Sequence, residues 1–79
     1  MEIRFSRHPR NEMRKYRISQ AEVVDVLAAP DETEPTVRER TNAWRHIQGR
    51  WLQVCYIDEA NGRVIVTAFE SRRPKSQRG

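Results

Sequence analysis

His8 and His46 are the side chains of this sequence that titrate near neutral pH without help from their surroundings. Tyr56 and Glu70 are further proton carriers, and Arg7, Arg10, Arg14, Arg45, Arg50, Arg72 and Arg73 supply cations near them in the chain. Thirteen of the fifteen basic residues are Arg, with Lys15 and Lys75 the exceptions. A guanidinium holds phosphate through two parallel hydrogen bonds and stacks on bases, whereas an ammonium acts as a point charge. The chemistry this inventory allows is proton transfer beside a bound phosphate, and it tilts the chain toward nucleic acid or an acidic partner. A GC-rich genome produces the same arginine bias, so composition alone leaves both origins open.

Each candidate also has a purely structural use. His8 stands at a strand-to-helix corner, where it is either an acid, base or phosphate contact beside the helix amides, or a ring that ties the corner together. His46 lies on a polar strand, where an exposed cross-strand imidazole is favoured over an acid or base. Glu70 is a general base or the ion-pair partner of its arginine neighbours. Arg72 and Arg73 are a phosphate clamp or a solvated tail, and Arg14 and Lys15 are a contact surface or a solvated helix face. Trp44 and Trp51 stack bases in one reading and fill the core in the other, the core use being favoured because large apolar groups are scarce. Cys55, between Val54 and Tyr56, reads as a buried small hydrophobe.

At 79 residues the chain is one domain, and with 37% hydrophobic and 33% charged residues it supports a thin core. A deep cofactor pocket is excluded, and no cofactor is expected. One cysteine makes no internal disulfide, and no Cys/His cluster supplies a zinc site, so no metal is expected. No apolar run approaches a membrane span and Met1 to Arg10 lacks a signal-peptide core, which predicts a cytoplasmic protein that does not enter a membrane. Charge is unevenly spread. Residues 1–17 hold six basic and two acidic groups, 18–44 two and six, and 45–79 seven and three, giving +4, −4 and +4. If the two ends meet, they form one positive face.

The elements that must position these groups follow from local pattern. Alternation over Glu2 to Ser6 predicts a strand, and Ser6 with Pro9 places a helix over about His8 to Tyr16. Ser19 and Glu22 form a capping box, with Ile18 stapling onto Val23, and open a second helix that ends before Pro30. Asp31 to Pro35 reads as a loop. Thr36 to Arg40 and Ala43 to Gln48 read as polar strands around Thr41-Asn42, and Trp51 to Ile57, apolar on both faces, as a central strand. Asn61-Gly62 is the expected φ > 0 pair of a turn into a last strand, Arg63 to Phe69. The expected fold is α+β, β-α-α-β-β-β-β, a curved antiparallel sheet packed on one face by two N-terminal helices. Residues 1–74 form the domain and 75–79 a basic flexible tail. The other sheet face curls over itself or meets a partner.

Several motifs in this order resemble the RelE/ParE-type toxin superfamily, nearest to its BrnT-like branch and the neighbouring domain of unknown function 4258 family. They are Ser6-Arg7-His8, Arg10 and Met13, Ile18-Ser19 leading to Val26-Leu27 and Pro30, and Thr67 to Arg73 after an Asn-Gly turn. Glu12, Tyr16 and Arg17 depart from the family pattern, and a glycine capping the first helix is absent. The resemblance implies the toxin component of a type II toxin–antitoxin system. Its activity would be a metal-independent endoribonuclease that cleaves mRNA, on the ribosome or free, by attack of a ribose 2′-OH on the adjacent phosphate. That reaction needs a base, cations for the phosphate and an acid for the leaving 5′-oxygen. His8, His46, Glu70 and Arg72 are the candidates for these roles, and Arg7, Arg10, Arg14, Arg45, Arg50 and Arg73 for RNA binding. The implied partners are RNA and a cognate antitoxin. The alternatives are a non-catalytic RNA- or ribosome-binding module and a protein-interaction domain whose sheet edges recruit a strand.

Overall fold

Ile3 and Phe5 alternate with Glu2 and Arg4, and in the computed structural model, which describes residues 2–74, they form β1 (Glu2–Phe5). The tail expected over 75–79 lies outside the described residues; Pro74, just before it, is buried. Two helices follow, α1 (Arg7–Tyr16) and α2 (Gln20–Ala28), then β2 (Glu32–Pro35), β3 (Arg40–Ile47), β4 (Arg50–Glu59) and β5 (Gly62–Ser71). The order is the expected β-α-α-β-β-β-β. All five strands share one open sheet, ordered β1-β5-β4-β3-β2. It is mixed, because β1 runs parallel to β5 while the other pairings are antiparallel.

Pro9 and Met13 are buried and Tyr16 half-buried, so α1 turns one narrow stripe inward. It ends in a left-handed residue, Arg17 at φ 56°, and the Ile18 N–H donates to the Met13 carbonyl at 2.8 Å. Arginine takes the conformation that glycine usually supplies. α2 starts as its sequence dictates: the Glu22 N–H donates to Ser19 Oγ at 3.0 Å and the Ser19 N–H to Glu22 Oε1 at 2.9 Å.

Val23, Val26 and Leu27 of α2 pack with Met13 and Ile18 on Ala43, Leu52, Val54, Tyr56, Ile65 and Ala68, so both helices cover the same sheet face. Alternation along β4 then sends Trp51, Gln53, Cys55 and Ile57 to the opposite face, which no helix or strand among the described residues covers.

Three local expectations are corrected. Glu32 to Pro35, read as loop, is an edge strand, because Glu32 pairs with Trp44 and Pro35 with Thr41 in register and the Asp31 N–H donates to the Trp44 carbonyl at 2.8 Å. Edge position makes its polar residues and proline tolerable. Thr36 to Arg40, read as a strand, is the turn after it, with Arg38 and Glu39 at φ 61° and 60°; only Arg40 enters β3, and Thr41-Asn42 lies inside that strand. In the β4–β5 turn Gly62 alone has positive φ, at 153°, and Asn61 does not. Gly62 is required for another reason: a Cβ there would overlap the Glu2 carbonyl of the parallel neighbour β1. The paired left-handed residues occur instead at Gln48 (φ 50°) and Gly49 (φ 84°), joining Ile47 to Arg50.

Candidate nucleic-acid interface

The inward stripe of α1 leaves two flanks. Arg7, Arg10 and Arg14, three and four apart, share one flank and, with Phe5 and Asn11, line a groove beside β1. None of the three forms an ion pair among the described residues. The helix opens without an acidic residue in its first turn, and the Ser6 side chain makes no capping bond, its hydroxyl donating at 3.4 Å to the Ile65 carbonyl instead. Cations at the positive end of a helix are unfavourable. Arg7 and Arg10 in the first turns therefore oppose the helix dipole and favour an external anion, while Arg14 in the last turn suits it.

The other flank carries His8, which is exposed, with Nε2 3.5 Å from Glu12 Oε1. Glu12 stands beside the imidazole one helical turn on.

Arg50, expected at a nucleic-acid surface, is turned into the protein. Its Nη1 donates to the Tyr16 carbonyl at 2.7 Å and its Nη2 to the Arg17 carbonyl at 2.9 Å, closing the C-terminal end of α1. The same guanidinium stands 3.3 Å from Glu22 and 3.4 Å from Glu70. Backbone hydrogen bonding from Ser19, opposed by burial and aided by Arg50, holds the Glu22 carboxyl below the usual carboxylate range. Glu70 thus has the pairing role. Arg45 is similar: its Nη1 donates to the Asp25 carbonyl of α2 at 3.0 Å.

His46 is exposed on the uncovered face, its ring 5.1 Å from that of Trp51 and tilted by 36°. Its backbone N–H donates to Asp31 Oδ2 at 2.8 Å. Registers place His46 opposite Trp51 and Trp51 opposite Ser71, which precedes the exposed Arg72 and Arg73.

The structure brings together Arg7, Arg10 and Arg14 in one group, Arg50 with Glu70 in a second, and His46 with Trp51 at one end of the uncovered face, while Arg72 is placed only as the exposed residue that follows Ser71. It keeps His8 apart from Glu70: His8 lies in the first turn of α1, while Glu70 meets Arg50 at the other end of that helix, about 12 Å along its axis. Trp44 is buried, as expected, but not in the helix-covered core; it belongs to the uncovered face with half-buried Trp51. Gln53 was missed. It accepts from Trp44 Nε1 and from the Ser71 hydroxyl, both at 3.0 Å, and its signal was an amide interrupting an otherwise apolar strand. Cys55 is buried, and that burial pushes its thiol pKa up.

Among the described residues no three His, Cys, Asp or Glu side chains are grouped to hold a metal ion, and no helix is long and apolar enough to cross a membrane. No curated protein and no solved structure matches the chain. A family model does match, over residues 5–70, from within β1 to the penultimate residue of β5. The chain therefore belongs to the family described as domain of unknown function (DUF4258).

Proposed function

We propose that this protein binds RNA through the Arg7, Arg10 and Arg14 flank of α1, and that its wider relatives are the RelE/ParE-type toxins, the BrnT-like branch in particular. The observation that carries the reading is the alignment of three arginines, without acidic partners among the described residues, along one flank of a helix whose first turn has no acid. A phosphodiester backbone supplies the missing negative charge at each step. The test is affinity for a short RNA measured between about 50 and 200 mM salt, with each phosphate contact contributing about 0.7 to the log–log slope on single strands. Replacing all three arginines by alanine should lower the slope by about 2. A wild-type slope near zero would remove the RNA reading.

A second reading, a toxin endoribonuclease neutralised by an antitoxin, is favoured by the exposed His46 ring beside Trp51 on the uncovered face. In it His46 exchanges the proton that leaves the 2′-OH or reaches the 5′-oxygen, and Arg72 neutralises the phosphate. His8 and Glu70, occupied by Glu12 and Arg50, are less suited to these roles. His46→Ala should then abolish RNA cleavage and growth arrest while keeping RNA affinity and the circular dichroism spectrum. A folded His46→Ala variant that still cleaves at the wild-type rate excludes that role.

A further inference from the structure

The groove beside α1 holds more than cations. About 360 Å³ in volume, it is lined by Phe5 and Asn11 as well as by Arg7, Arg10 and Arg14, and no acidic side chain lines it. Glu12 stands beside His8 on the other flank, Glu59 in the adjoining groove pairs with Arg4, and strand alternation turns Glu2 to the sheet face opposite Phe5. Phe5 is half-buried and forms the wall between the two grooves, since it lines both. It packs on the core, and its backbone is fixed by the parallel register with Ile65 and by the Ser6 hydroxyl on the Ile65 carbonyl, so the part of its ring that stays open is held in place. Asn11 is exposed, one turn beyond Arg7, and its amide has no hydrogen-bond partner among the described residues. That amide offers both a donor and an acceptor.

We infer that this groove takes a single-stranded stretch of RNA, with one base on the open side of Phe5, the edge of that base on the Asn11 amide and its flanking phosphates on the arginines. The subsite rests on the RNA-binding reading above and adds the state of the strand. Arg7 and Arg14 stand about 10 Å apart along α1, a spacing that successive phosphates of one strand serve. Three arginines alone would hold any phosphate backbone, duplex or single. Phe5 decides for the single strand: in a duplex each base face is covered by its neighbours, whereas an unpaired base offers its face to the ring and a donor–acceptor edge to the amide. A groove of about 300–1,000 Å³ takes a ligand of drug size, which one nucleotide is.

Fluorescence anisotropy of labelled oligomers titrated with the whole protein tests the subsite, using a short oligouridylate, an abasic oligomer of equal length and a blunt RNA duplex. The wild type should bind oligouridylate about tenfold tighter than the abasic oligomer, at the same salt slope. Phe5→Leu should remove that advantage and leave the affinity for the duplex unchanged, Phe5→Tyr should keep it, and Asn11→Ala should lose part of it. Equal binding of oligouridylate and the abasic oligomer by the wild type would overturn the subsite while leaving the arginine flank standing, and so would equal weakening of all three ligands in a folded Phe5→Leu. Absence of RNA binding at any salt would remove both. If Phe5→Leu fails to fold, the wild-type comparison with the abasic oligomer decides, together with Asn11→Ala at its exposed position. Displacement of oligouridylate by polyglutamate as readily as by unlabelled oligouridylate, at equal charge, would assign the groove to an acidic polypeptide and overturn the subsite.

Discussion

Arg50 gives up its place at the surface to hold the fold. Its fork spans two carbonyls at the end of α1, from Tyr16 and Arg17, and meets Glu22 of α2 and Glu70 of β5 with the same plane. Hydrogen bonds from charged donors contribute about 1.5–3 kcal/mol, so Arg50→Ala should destabilise by about 2–3 kcal/mol. Urea denaturation should show a lowered midpoint at an unchanged slope. Arg50→Lys should recover little, since one ammonium cannot reproduce the fork. Glu22 adds a pH dependence. Its carboxyl is held below the usual range, first by the Ser19 backbone N–H, so its contribution is complete above the ordinary carboxylate pKa and is lost as pH falls through the lower folded value. Stability should therefore decline on acidification, and Glu22→Gln should flatten that decline in urea titrations run from neutral to acid pH. The Ser19–Glu22 box was legible in the sequence because its partners lie three residues apart. Arg50 was not, because its partners lie 20 to 34 residues away and a surface arginine has the same local signature.

Strands depend on neighbours that local pattern does not reveal, and the two glycine-containing hairpin turns show how differently one residue type can be constrained. Gly49 has φ 84° and open space within 4 Å of where a Cβ would stand, so Gly49→Ala meets only backbone strain, about 1–2 kcal/mol. Gly62→Ala would overlap the Glu2 carbonyl and should cost more, because β1 must move off β5. Thermal unfolding of the two variants should rank Gly62→Ala below Gly49→Ala, and the amides of β1 should exchange faster in Gly62→Ala alone. An Asn-Gly pair was readable as a turn, but not that the glycine served a parallel strand arriving from the other end of the chain. β2 escaped sequence reading for a related reason. Glu and Pro are poor strand formers in isolation, and only the register with β3 makes this segment a strand.

Over the whole molecule the apolar residues divide between two faces, and the sequence was legible on one of them. A run apolar on both faces identified β4 as a central strand and the Asn-Gly turn joined it to β5, and the buried helix stripe packs on Leu52, Val54 and Tyr56. Leu52→Ala should cost about 2–5 kcal/mol, a large share of the stability of so small a domain, and calorimetry should show it as a lower melting temperature with RNA affinity per folded molecule unchanged. Trp44, Trp51 and Gln53 were harder to place, since residue type does not say which face of a sheet a helix covers. The parallel pairing of β1 with β5 carries a further consequence. Residues 2–5 wait for partners at 62–65, so during synthesis on the ribosome β1 is made about sixty residues before the strand that pairs with it. Until Gly62 to Ile65 have emerged, α1 hangs from a strand with no ladder, and its three arginines, without ion-pair partners among the described residues, are presented next to a surface made largely of RNA.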